Sequence, residues 1–323
     1  MLVNNRDEAF HYDAETSRLN LVQEVWEFTI IPFLNVRELA MLRPTCKWCN
    51  EQWQEFLKRN TFRVPEQVPT IDEAMRVGFN LAKQKEYSNE KRLMVVLSEG
   101  EHVVEGQNTL GITCSNISFI GQGKDKTTVH GGIGVFNKKN VTVKSLSLTN
   151  PNGSGLRVEG EEASVEMMDV SVKECGEYGL VVDSGASVKA TQCEFSENGG
   201  YGVAVIGGSK GIFTDCSFHH NGNDGVYVEG EVKGEGGLVE LHGDQTEIHH
   251  NSAAGLKAWE NATINIYIPS RPITALVHDN KRDLNTVNGG KIQSQLSSSS
   301  LELTVIQEAP PDNSDEDEDE EDY

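Results

Sequence analysis

No stretch of about 18 consecutive apolar residues occurs in this chain, which excludes a membrane-spanning helix. A basic run is missing as well. Only 28 Lys and Arg stand against 50 Asp and Glu, and the net charge is −22. Nothing is therefore suited to track a phosphate backbone or an anionic bilayer, and neither nucleic acid nor a membrane is expected as a partner. The opening segment MLVNNRDEAFHYDAETSR is charged and has no apolar secretory core, so a cytoplasmic or nuclear protein with reduced thiols is expected. Cysteines are few, at six. Cys46 and Cys49 form a C-x-x-C with no second pair and no nearby histidine, so no metal site is expected there. There is no P-loop and no Ser/His/Asp set, and hence no cofactor and no catalytic residue is expected.

Glycine, in contrast, is plentiful at 31 residues, and it is periodic. GLRVEG, GLVVDS, GVAVIG, GVYVEG and GLKAWE begin at Gly155, Gly179, Gly202, Gly225 and Gly255. Repeats of about two dozen residues point to a solenoid. One residue after each glycine lie Leu156, Leu180, Val203, Val226 and Leu256, and three after it Val158, Val182, Val205, Val228 and Ala258. Apolar positions two apart describe a strand with one buried face. Val172, Phe195, Phe218 and Ile248 form a second apolar column, with Cys193 and Cys216 two residues before the phenylalanines. Helical repeats would show a 3.6-residue period, and leucine-rich repeats L-x-x-L-x-L; neither is present. A parallel β-helix fits, and its expected hand is right, the hand that parallel crossovers overwhelmingly take.

Four residues before the glycines stand Cys175, Asn198, Asn221 and Asn251. Asparagine tolerates left-handed backbone at a corner, and its amide can bond to the equivalent residue one coil away. This predicts a structural ladder of Asn198, Asn221 and Asn251, with glycine giving freedom at the same bend. Beside it Glu174, Glu197, His220 and His250 form a surface ladder, adjoined by Lys173, Ser196, His219 and His249. Stacked His next to Glu could bind a metal or respond to pH, but a polar exposed corner is the simpler expectation. Glu159, Asp183, Ile206, Glu229 and Trp259 make an outward column, with Arg157 near its first two carboxylates. Ile206 interrupts it, so it reads as a solvated surface.

PTIDEAM at Pro69–Met75, followed by VVLSEGEHVV and SFIGQG, resembles the opening of pectin-lyase-like β-helix proteins. The helix of about 71–85 would then cap the first edge of the solenoid. Upstream, the FLNVREL segment at Phe33–Leu39 and the L-x-x-T-C-K-x-x-N-x-x-W pattern at Leu42–Trp53 resemble an F-box. The usual opening Leu-Pro of that module is Leu21-Val22 here. The resemblance implies docking on the adaptor of an SCF-type ubiquitin ligase through Ile31, Pro32, Phe33, Leu34, Leu39 and Leu42. The plainer alternative is that these helices only cap the solenoid.

The expected organisation is a flexible 1–13, an F-box-like helical module at 14–62, a linker and capping helix at 63–91, a right-handed parallel β-helix at 92–306 and a disordered tail at 307–323. The tail PPDNSDEDEDEEDY carries too much charge and too little apolar surface to fold. Together the two resemblances imply a non-catalytic substrate receptor whose β-helix binds a protein target. The alternatives are a carbohydrate-active β-helix enzyme, such as a polysaccharide lyase or esterase, and a scaffold independent of any ligase.

Overall fold

A computed structural model describes residues 60–83, 85–230, 236–268 and 270–294, and the backbone of 304–305. The F-box-like module, including Ile31, Pro32, Phe33, Leu34, Leu39 and Leu42, and the acidic tail lie outside the described residues. The rest is a mainly β solenoid with few helices. Its strands pair in parallel from one coil to the next, and eight of them make one continuous sheet.

The repeat columns account for that sheet. Leu156–Glu159 pairs with Leu180–Asp183, then Val203–Val205, Val226–Glu229 and Ala254–Trp259. Leu156, Leu180, Val203, Val226 and Leu256 are in direct register and fully buried. Val158, Val182, Val205, Val228 and Ala258 form the parallel inner row. Each apolar side chain so buried contributes about 1.5–3 kcal/mol. The opposite wall stacks Val172, Phe195, Phe218, Ile248 and Val277. Phe213 fills the space between these walls, and Gly211 makes room for it: a β-carbon there would fall 2.6 Å from the Phe213 ring.

Parallel pairing begins earlier than Arg92, with Thr61–Val64 on Leu93–Leu97. The capping helix spans Ile71–Ala82. The Thr70 hydroxyl caps it by accepting from the Glu73 amide at 3.1 Å, and its buried face is Ile71, Ala74, Met75, Gly78 and Leu81. Late in the solenoid, Arg282–Val287 adds the eighth rung on Ala254–Trp259, a strand absent from the glycine repeat. Thr304–Val305 closes the far end by an antiparallel pair with Lys291–Ser294.

Two details of the corner differ from the sequence reading. The left-handed residue is the one before each member of the Cys175 and asparagine column: Glu174, Glu197, His220, His250 and Asp279 all have φ of 54–56°. The asparagine amide must reach inward to bond the backbone, so the residue before it makes the turn. The repeat glycines are needed for space. A β-carbon at Gly202 would lie 2.6 Å from the Gly225 carbonyl oxygen and 2.7 Å from the Asn221 amide nitrogen.

Candidate functional site

The corner at which the eight-stranded sheet begins carries three nested ladders. Innermost are the asparagines, buried at Asn198, Asn221 and Asn251. Asn198 Nδ2 donates to Asn221 Oδ1 at 3.0 Å and Asn221 Nδ2 to Asn251 Oδ1 at 2.9 Å. Asn251 Nδ2 donates to Asn280 Oδ1 at 2.8 Å, so Asn280, which the sequence reading missed, is a fourth member. Each Oδ1 also accepts a backbone N–H from the preceding coil, and each Nδ2 donates to a carbonyl there, as Asn221 does to Phe195 at 3.1 Å. Buried polar groups satisfied in this way hold the coils in register.

One residue out lie Glu174, Glu197, His220 and His250, all exposed. His220 and His250 stack at 5.0 Å and 9°, beside the stacked pair His219 and His249 at 5.0 Å and 4°. His278 continues the second stack at 5.4 Å. Within a coil the rings meet edge to face, with Nδ1 atoms 2.9 Å apart in both His219–His220 and His249–His250. Glu194 accepts from His219 Nε2 at 3.2 Å, and this bond holds the Glu194 carboxyl at about 2, well below the usual range. Burial and the neighbouring imidazoles lower the pKa of His249. Among the described residues no three His, Cys, Asp or Glu side chains converge as a metal cluster.

The third ladder lies just before the glycines, where the column reads Ser154, Tyr178, Tyr201, Asp224 and Ala254. Tyr178 stacks on Tyr201 at 5.2 Å, and Tyr201 on Tyr227 at 4.7 Å and 8°. Tyr227 projects from the outward face of its strand and donates its hydroxyl to Glu229 Oε2 at 2.8 Å. Lys257, opposite Tyr227 in the next strand, holds its ammonium 5.7 Å from the Tyr227 ring and 4.9 Å from the Trp259 ring. Asp224 interrupts this aromatic column and is 2% exposed. Its Oδ1 accepts from the Ala254 amide at 2.6 Å, while its Oδ2, also buried, has no hydrogen-bond partner among the described residues. Burial raises the Asp224 pKa; the Ala254 amide and the charges of Lys257 and Arg282 offset this only in part. Burial, with Asp224 among the neighbouring charges, pushes the Tyr201 hydroxyl up to about 12. A buried carboxyl with a raised pKa and an unpaired oxygen beside partly exposed aromatic rings has the attributes of a proton-transfer site. Its trace in the sequence is the one charged residue in a column that otherwise reads Ser154, Tyr178, Tyr201 and Ala254.

Further along the sheet, Glu159 and Asp183 are register neighbours. Arg157 bridges them, with Nε 3.1 Å from Glu159 and a terminal nitrogen 3.7 Å from Asp183. These three charges pair with one another on the outward face of the sheet.

The family model described as "Right handed beta helix region" matches residues 102–268, more than half of the chain, and the chain belongs to this family. A search of curated proteins returned no match. Several solved structures are similar in fold. The ORF18 protein of Geobacillus virus E2 is 13% identical with a TM-score of 0.45, over 80% of this chain and 66% of its own. The A-module of a mannuronan C-5 epimerase from Azotobacter vinelandii is 14% identical, TM-score 0.39, over 68% of this chain and 83% of its own. Pectin methylesterase PemA from Erwinia chrysanthemi is 10% identical, TM-score 0.41, over 72% of this chain and 80% of its own. At this level the likeness is one of fold. The expectation of a non-catalytic chain is corrected: structures similar in fold include an epimerase and a methylesterase, a fold by itself does not decide whether a chain is catalytic, and the lack of a recognised motif was no ground for excluding catalysis. No helix among the described residues is long and apolar enough to cross a membrane.

Proposed function

We propose that this protein is a carbohydrate-active β-helix enzyme that holds a glycan against Tyr178, Tyr201, Tyr227 and Trp259 and cleaves it by acid–base chemistry. The observation that carries this reading is the Asp224 carboxyl, buried beside the tyrosine stack with one oxygen unpaired. Protonated, it donates to the oxygen of a leaving sugar. Glu229, half-exposed and hydrogen-bonded to Tyr227, is the second carboxylate, which takes a proton from water. Tyrosine and tryptophan faces bind the apolar faces of pyranose rings with little loss of side-chain entropy. The substrate is a neutral glycan, since Arg157 is engaged by Glu159 and Asp183 and Lys257 by the Tyr227 and Trp259 rings, so these cations are not free to hold a polyuronate.

The test is a panel of neutral and acidic polysaccharides, read by release of reducing ends and by calorimetry on the full chain. Asp224→Asn is expected to lower turnover about 100-fold or more with binding retained. Cleavage undiminished by Asp224→Asn, or failure of every glycan to bind, overturns the reading. The N-terminal segment bearing FLNVREL is in this reading a separate docking element for an SCF-type adaptor. Co-purification with that adaptor, lost on Leu34→Asp or Leu39→Asp, is its test.

A further inference from the structure

The histidine ladder belongs to the same corner as the acid and the tyrosines, but the glycan reading does not use it. We infer that its two His–His rungs, His219 with His220 and His249 with His250, are bidentate sites for a divalent transition metal of tetragonal preference, Cu²⁺ or Ni²⁺. Their Nδ1–Nδ1 separation is 2.9 Å in each rung. Two cis nitrogens about 2.05 Å from a metal in square or octahedral geometry are about 2.9 Å apart, whereas a tetrahedral ion spreads them to about 3.3 Å.

The tautomers suit this role. Glu194 accepts from His219 Nε2, which keeps the proton on that nitrogen and leaves the Nδ1 lone pair free to accept. In the metal-free rung His220 Nδ1–H donates to it. On loading, His220 carries its proton on Nε2 instead, and each ring rotates by about 45° around χ2, a soft torsion for histidine, so that both lone pairs meet the ion. The rungs are stacked 5.0 Å apart, too far for one ion to bridge them, so each binds its own. Water completes each coordination shell on the exposed side of His220 and His250. The next rung, His278 Nδ1 with Asp279 Oδ2 at 2.8 Å, offers a nitrogen and an oxygen and is the weaker donor pair for these ions.

The experiment uses the full chain without a histidine tag. Ni²⁺ binding is measured by calorimetry and Cu²⁺ ligation by electron paramagnetic resonance. Two ions per chain are expected, with two imidazole nitrogens in the plane of each Cu²⁺, and with weaker binding of Zn²⁺. His220→Asn with His250→Asn keeps residues that tolerate left-handed φ and removes one ligand per rung; it is expected to abolish both sites with an unchanged circular dichroism spectrum. Glu194→Gln is expected to weaken the His219–His220 rung about tenfold and to leave the other rung alone. A wild-type chain that binds neither ion, or binding retained in the double asparagine variant, overturns the proposal.

Discussion

A phenylalanine stack and a tyrosine stack run up this solenoid, and they differ in everything except geometry. Inside, Phe195 lies over Phe218 at 5.4 Å and 9°, with Phe213 edge-on to both. Outside, Tyr201 lies over Tyr227 at 4.7 Å and 8°. Strand pairing sets both spacings, because successive coils are one hydrogen-bonded strand separation apart. The coil therefore stacks whatever it is given, and the stacking itself carries no information about role. Surroundings separate the two. The phenylalanines are wholly buried among apolar groups, whereas the tyrosines keep polar tips beside Glu229 and the buried Asp224.

The comparison breaks most readily from the inside. Phe218→Ala is expected to cost about 3–5 kcal/mol in denaturant melts, and a loss below about 1 kcal/mol would mean the column is not core. Asn221→Ala comes next. Its side chain makes bonds to Asn198, Asn251 and the Phe195 carbonyl, and truncation leaves buried groups of three coils unpaired, for an expected loss of about 2–3 kcal/mol in the same measurement. Outside, Tyr201→Ala removes a partly exposed ring and is expected to cost about 1 kcal/mol or less while weakening glycan binding measurably in calorimetry. A stability loss as large as that of Phe218→Ala would make the tyrosine stack a second core and end the distinction.

The smallest effect has the most informative sign. The folded-state pKa of Asp224 lies above its unfolded value. At pH 3 the group is largely protonated in both states and costs little; as pH rises through the folded pKa, a buried carboxylate must form and stability falls. Asp224→Asn is thus expected to match the wild-type melting temperature near pH 3 and exceed it at pH 7 and above. A variant less stable than wild type at pH 8 would mean that the ionised carboxylate is itself stabilising, and Asp224 would lose its role as proton donor.

Much of the fold was legible because the core columns repeat. Leu156 to Leu256 and Phe195 with Phe218 are apolar for the same reason in every coil, so their spacing exposes the period. The strands Thr61–Val64 and Arg282–Val287 were missed because they close the ends, where the repeat has decayed: Leu284 keeps the inward position, but Asn285 and Thr286 replace the usual residues around it. The candidate site was less visible. Asp224 is one residue in one coil and has no periodicity to announce it. That it is buried, that one oxygen is unpaired, and that Tyr201 and Tyr227 meet beside it depend on how adjacent coils register.

By itself the amino-acid order determined the solenoid class, the inward-facing columns and the asparagine ladder, since each is a demand repeated in every turn of the chain. Tertiary structure decided which corner residue takes left-handed backbone, why the glycines are required, and which polar groups share a surface. Those outcomes depend on contacts between residues about 23 or 30 positions apart, as between Asn198 and Asn221 or between Asp224 and Ala254. Only the stacking of the coils sets them at hydrogen-bonding distance.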